Sequence, residues 1–158
     1  MTTDLAATLH AQLLEYAACL DDDRLEAWPG FFTEDARYRV TSADNYARQM
    51  PIGLIYADSR AMLTDRVSAL REANIYEGQS YRHILSGTRV LDVSEGADCV
   101  RTETSFLVTR IMRDGATTLF ASGRYLDTAQ FSASGWRYRE KIVVLDSSRI
   151  DTLLAIPL

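Results

Sequence analysis

Apolar positions recur at helical spacing from the start of the chain. Leu5, Leu9, Leu13, Tyr16, Ala17 and Leu20 fall on one side of a helix predicted from about Asp4 to Leu20. After the acidic run Asp21, Asp22 and Asp23, the pair Asp23 and Glu26 reads as an acidic capping box for a short second helix, closed near Trp28 by Pro29 and Gly30. Alternation over Ala36 to Thr41 predicts a first strand with Tyr38 and Val40 sharing a face. Residues 42–57, which include Pro51 and Gly53, show no clear period and read as a loop with a helical turn. From the N-cap Asp58 or Ser59 to Ile75, Met62, Leu63, Val67 and Leu70 line one side of the main second helix, opposite Asp65, Ser68 and Glu72.

After Gly78 the pattern changes. Segments 80–93, 99–113, 117–130 and 136–145 are rich in Val, Ile, Thr, Tyr and Phe, and turn signals separate them at 94–98, Asp114-Gly115 and 132–135. Asp-Gly between two such runs favours a type I′ hairpin, whose register sets Phe106 opposite Gly123 and Thr104 opposite Tyr125. These strands exceed the usual length of about five or six residues, so the sheet has to twist and curve, with Gly87 and Gly123 as bending or bulge points. Helices first and a curved antiparallel meander afterwards make an α+β order, with the helices packed on one face of the sheet. No repeat, low-complexity tract or linker divides the chain, so residues 1–158 form one domain. At this length roughly 68–70% of the unfolded surface is buried, enough for a single core without disulfides or a structural metal.

Composition narrows the chemistry. The chain has two His, His10 and His83, and two Cys, Cys19 and Cys99, all far apart. No pair has the spacing of about two to five residues that tetrahedral zinc sites use, and haem-attachment, HExxH and iron–sulfur motifs are missing. Isolated cysteines suit a reducing compartment, and the N-terminus lacks the basic start and apolar run of a signal peptide, so the expected location is the cytoplasm. No run approaches the roughly 18 consecutive apolar residues of a membrane span. All basic residues but Lys141 are Arg, which leaves one candidate for Schiff-base chemistry and suits planar pairing at interfaces. Residues 1–35 hold eight acids against Arg24 alone, so the net charge of −5 divides into −7 there and +2 elsewhere. That balance argues against a nucleic-acid-binding face made by the whole domain and leaves the strand region available to an acidic protein partner.

Inside a cone-shaped sheet, Asp35, Tyr38, His83, Arg124 and Glu140 are the candidates for an acid–base cluster. His83 leads them because imidazole titrates near neutrality, although a half-buried His satisfied by a carboxylate or the backbone is the commoner arrangement. Arg82 points to the opposite face from His83. Glu103 and Arg124, diagonal neighbours in the hairpin, form a surface ion pair. Trp28, Trp136, Phe31, Phe32 and Tyr138 are core or interface anchors, and Cys19 is a core thiol. No GxSxG elbow supports a serine hydrolase. The apolar end, with Leu153, Leu154, Ile156 and Leu158, docks on its own domain or on a neighbouring subunit.

The helix DSRAMLTDRVSALREANI, the segment SYRHILSGTRVLDV, the run TETSFLVTRIMRDGATTLFASGRYLD, the ending WRYREKIVVLDSSRIDTLLAIPL and the FF after WPG, in this order, resemble the small (β) subunit of aromatic-ring-hydroxylating oxygenases. The likeness spans nearly the whole chain and is strongest to subunits of salicylate, anthranilate, benzoate and terephthalate hydroxylases, with a salicylate- or anthranilate-type acid as first choice. It implies the α+β cone shared with nuclear transport factor 2 (NTF2-like) and scytalone dehydratase. It further implies a self-associating trimer within a hexamer of three large and three small subunits, supplied with electrons by a reductase and ferredoxin or by a combined reductase. In that family the large (α) subunit holds a Rieske [2Fe-2S] cluster and a mononuclear Fe(II), and the small subunit braces the assembly. The count of metal-binding residues agrees: the two centres need four His, and this chain has two. No catalytic, cofactor-binding or metal residue is therefore carried over. The competing expectations are a stand-alone NTF2-like lyase, isomerase or hydrolase using His83 with Asp35, and a ligand-binding or scaffolding module.

Overall fold

α1 (Thr2–Asp21) buries Leu9, Leu13, Tyr16, Ala17, Cys19 and Leu20, the stripe that the spacing predicts. It ends in a Schellman turn: the Arg24 N–H donates to Cys19 O at 2.9 Å and the Asp23 N–H to Leu20 O at 3.2 Å. Asp23 takes the left-handed conformation this turn requires, at φ 58°. The predicted capping box is therefore absent, and both of its acids bind Arg71 instead, with a 2.9 Å contact from Arg71 to Asp23 and 2.8 Å to Glu26. The short helix that follows is a 3-10 helix (Leu25–Phe31) containing Pro29.

The computed structural model describes residues 1–51, 53–73, 78–149 and 154–158. After the 3-10 helix come β1 (Phe32–Ser42), α2 (Ala43–Ala47), β2 (Ile55–Ala57), α3 (Arg60–Ala73), β3 (Gln79–Leu85), β4 (Arg89–Val93), β5 (Cys99–Met112), β6 (Thr117–Ser132) and β7 (Gly135–Leu145). The predicted ends of the second main helix, Asn74 and Ile75, and Leu153 of the apolar terminus lie outside the described residues. The seven strands form one sheet in the order β2-β1-β7-β6-β5-β3, with β4 continuing the β3 edge along β5. The sheet is mixed, because β1 runs parallel to β7 while every other pair is antiparallel. That pairing joins segments about a hundred residues apart, and strand periodicity carries no information on direction.

Segment 80–93 is two strands, interrupted at Ser86-Gly87-Thr88. The β5–β6 turn also departs from expectation. Its only positive φ is at Gly115, and Gly115 N–H donates to Met112 O at 2.9 Å, so this is a three-residue loop with a left-handed Gly and not a type I′ turn. The shorter pairing it starts, Ile111 with Thr117, is offset by a bulge at Phe120 between the pairs Thr109–Leu119 and Val108–Ala121. The bulge restores the expected opposition of Phe106 to Gly123 and Thr104 to Tyr125. Further register shifts between Phe32 and Arg37, Val90 and Asp92, and Thr128 and Ala129 let the long strands curl.

The core lies inside this curve. α1, α3 and residues 154–158 pack against inward side chains such as Tyr38, Val40, Phe106, Val108, Tyr125, Tyr138 and Val143. Trp28, Phe32 and Tyr138 are buried, whereas Trp136 and Phe31 are half-buried at the margin. Leu154, Ala155, Ile156 and Leu158 are all buried, so the apolar end docks on its own domain. Among the described residues no helix is long and apolar enough to cross a membrane.

Candidate functional site

The last residue of α1, Asp21, holds His83 twice. One carboxylate oxygen accepts from the His83 main-chain N–H at 2.9 Å and the other meets the ring Nδ1 at 2.6 Å. An ionised carboxylate only accepts, so Nδ1 carries the proton. The arrangement ties the end of α1 to the free edge of β3, and both side chains are almost wholly buried. His83 Nε2, the atom a general base would use, is buried with no hydrogen-bond partner among the described residues. Four surface clefts formed by described residues all leave His83 out of their walls.

Asp35, the expected partner of His83, is elsewhere. It sits in the bulge of β1 and accepts from the Thr33 hydroxyl at 3.0 Å. Three strands stand between β1 and β3, so four ladder spacings of about 4.8 Å put the two residues on the order of 19 Å apart along the sheet. Asp35 instead joins Arg37, Thr128, Arg139 and Glu140 around an open polar cleft of about 360 Å³. Of the predicted cluster, then, only Asp35 and Glu140 come together, on the outside of the sheet. Arg124 forms the expected ion pair with Glu103 at 3.2 Å, and Glu103 also binds Arg89 at 2.7 Å.

Tyr38 points into the cone, where the chain's own end fills the space. The hydroxyls of Tyr38 and Tyr16 both donate to Leu158 O at 2.8 Å, and the Leu158 N–H donates back to the Tyr38 oxygen at 3.2 Å. Arg66 donates to Leu154 O at 3.0 Å and Tyr81 to Ile156 O at 3.4 Å. Burial pushes the Tyr16, Tyr38 and Tyr81 phenols up, which keeps them protonated as donors.

The most buried charges lie outside the predicted acid–base cluster, although Lys141 is the one lysine the sequence offers for Schiff-base chemistry. Lys141 on β7 pairs across the ladder with Asp127 on β6, at 2.9 and 3.0 Å to its two oxygens. The ammonium lies 4.4, 4.1 and 4.2 Å from the ring centres of Tyr16, Tyr125 and Tyr138. Burial drives Lys141 down and Asp127 up, while their mutual attraction opposes both shifts. One signal could have revealed the pair: the only lysine of the chain shares an alternating strand with Val143 and Leu145. Asp21 was hidden by its place in an acidic run that reads as a solvated helix end.

The iron centres of an oxygenase do not fit these residues. His10 Nδ1 is engaged with the Thr88 hydroxyl at 2.9 Å, His83 Nδ1 with Asp21, and the Cys19 thiol with Arg24 O at 2.9 Å. Among the described residues no group of three or more His, Cys, Asp or Glu is placed to hold a metal ion.

Comparison with known proteins agrees with this geometry. The pattern of the ring hydroxylating beta subunit family matches residues 15–152. The chain is 50% identical over 143 residues to the beta 1 subunit of the terminal oxygenase component of terephthalate 1,2-dioxygenase from Comamonas sp., covering 90% of this chain and 92% of that one. It is 37% identical over 160 residues to the small subunit of anthranilate 1,2-dioxygenase from Burkholderia cepacia, covering 100% of this chain and 98% of that one. A crystal structure described as the beta subunit of an aromatic-ring-hydroxylating dioxygenase from Novosphingobium aromaticivorans superposes with a TM-score of 0.89 at 34% identity, covering 99% of this chain and 98% of that one. A match across most of the sequence, together with the same cone over almost its full length, places the chain in the family of ring hydroxylating beta subunits.

Proposed function

We propose that this chain is the small, non-catalytic subunit of a multicomponent oxygenase that hydroxylates an aromatic carboxylic acid in the cytoplasm. The terephthalate and anthranilate enzymes are the relatives that support this substrate class, with terephthalate favoured over the salicylate or anthranilate type by the higher identity. In this reading the large subunit holds the Rieske cluster and the mononuclear iron, a reductase with or without a ferredoxin supplies electrons, and three copies of each subunit assemble around a trimer of this chain. The observation that carries the non-catalytic role is the filled interior. Residues 154–158 occupy the cone, and the hydroxyls of Tyr16 and Tyr38 inside it are both engaged by Leu158.

Expression of the chain alone, beside co-expression with its large subunit, tests the proposal. The isolated chain should be colourless and free of iron, and the complex red-brown, with three copies of each subunit by native mass spectrometry. Stoichiometric iron in the isolated chain, or turnover of an aromatic acid by it, would overturn the reading. The stand-alone enzyme using His83 and Asp35 makes the opposite forecast, and the separation of those two residues counts against it.

A further inference from the structure

Residues 154–158 are held inside the cone as a ligand is held. They belong to no helix or strand, and among the described residues their main chain makes no hydrogen bond to another main chain. Side chains from four separate elements take their carbonyls instead. Arg66 of α3 donates to Leu154 O at 3.0 Å, Tyr81 of β3 to Ile156 O at 3.4 Å, and Tyr16 of α1 and Tyr38 of β1 each to Leu158 O at 2.8 Å. A buried segment woven into a fold meets most of its polar groups through main-chain ladders, and this one meets none that way.

The receiving groups do not depend on the segment for their positions. The Tyr16 ring packs edge-on against Phe31 and Tyr138, with ring centres 5.5 and 5.7 Å apart, and the Tyr38 ring packs edge-on against Trp28 and Phe32 at 5.2 and 6.0 Å. These contacts converge two hydroxyls on one point, which Leu158 O fills, so the donors are ordered before anything binds them. The segment is suited to the site in turn. Leu154, Ala155, Ile156 and Leu158 are buried apolar side chains, and Pro157 brings no N–H for the interior to satisfy and restricts the backbone at Ile156, where the segment bends. Chain direction is read as well, because the Leu158 N–H donates at 3.2 Å to the same Tyr38 oxygen that donates to its carbonyl.

We propose that the interior of the cone is a binding site for a short apolar peptide of the Leu-Ala-Ile-Pro-Leu type, filled in cis by residues 154–158 and able to take the same sequence in trans once the chain's own end is displaced. Tethering gives that end an effective concentration on the order of millimolar, so a free peptide does not compete with it in the parent chain. The site reads main-chain carbonyls through Arg66, Tyr81, Tyr16 and Tyr38, and reads side chains only as apolar volume.

The full chain carrying Ile156→Lys with Leu158→Lys keeps its length but cannot bury its end, since two ammonium groups would have to leave water. A peptide of residues 154–158, labelled with fluorescein through a polar linker, is titrated into this variant and into the parent, with anisotropy as the readout. The variant should bind one peptide at least roughly 30-fold more tightly than the parent does, and the peptide should raise the variant's melting temperature. The reversed sequence, and the peptide carrying Leu158→Lys, should not bind. Adding Tyr16→Phe and Tyr38→Phe to the variant should weaken the peptide roughly 10-fold or more. If the variant is unfolded by circular dichroism when alone, the peptide should restore the parent spectrum. Neither binding nor restoration overturns the proposal. Equal binding of the reversed peptide also overturns it, by reducing the interior to an apolar hole, as does binding to the parent as tight as to the variant, which would place the peptide outside the cone. Unchanged affinity after the two tyrosine replacements overturns the assignment of the hydroxyls as the reading groups.

Discussion

Lys141 stands directly across the β6–β7 ladder from Asp127, with both carboxylate oxygens within 3.0 Å of its Nζ and three tyrosine rings closed around the ammonium. Neither charge reaches water, so each is tolerable only because of the other. Lys141→Ala should cost about 3–5 kcal/mol, since it strands a buried carboxylate. The double change Lys141→Met with Asp127→Leu should recover most of that loss. Urea unfolding of the single and double variants measures both, and a cost under about 1 kcal/mol for the single change would show that the pair is not desolvated.

The chain end is a second point of leverage. Leu158 is fully buried and its main chain meets two tyrosine hydroxyls. Leu158→Ala should therefore destabilise by about 2–5 kcal/mol. Tyr38→Phe removes the acceptor of the Leu158 N–H as well as a donor, and should cost about 1–3 kcal/mol. Denaturant midpoints at unchanged slope are the readout.

Gly123 is a packing glycine. A Cβ there would sit 2.1 Å from Val144 O on the neighbouring strand, closer than atoms can approach. Gly123→Ala should separate β6 from β7 and lower stability by about 1–3 kcal/mol, whereas Gly87→Ala, with nothing within 4 Å, should be nearly silent. Equal melting temperatures for the two variants would contradict this close approach.

His83→Gln distinguishes a clamp from a catalyst. If His83 serves to hold α1 against β3, the variant should melt earlier and show faster amide exchange at the end of α1, while the assembled oxygenase retains its turnover per folded complex. Abolished turnover with an unchanged melting curve would return His83 to the chemistry.

The Arg71 clamp should respond to acid. Its hydrogen bonds hold the Glu26 carboxyl below the usual carboxylate value. The unfolded chain therefore binds this proton more readily than the folded one, so the contribution is complete above the ordinary Glu range and is lost as pH falls through the depressed folded value. The side chains are exposed, which makes the effect small. NMR titration should find Glu26 below a free glutamate, and Arg71→Ala should remove the difference.

Much of this architecture follows from local pattern. The stripe on α1, the inward residues of the long strands, the opposition of Phe106 to Gly123 and the supply of metal ligands are properties of spacing and count. Each can be read along one element or across one short turn, because helical and strand periods place side chains before distant elements meet. The register across β5 and β6 is instructive, since it holds only because the bulge at Phe120 offsets a turn one residue longer than expected. Relations between distant segments could not be read this way. The parallel course of β1 beside β7, the capture of His83 by Asp21 in place of Asp35, the burial of Lys141 and the entry of Leu158 into the cone each depend on where the curved sheet brings remote residues together. A charged or polar side chain has the same identity on the surface as in the core, and only packing selects its partner.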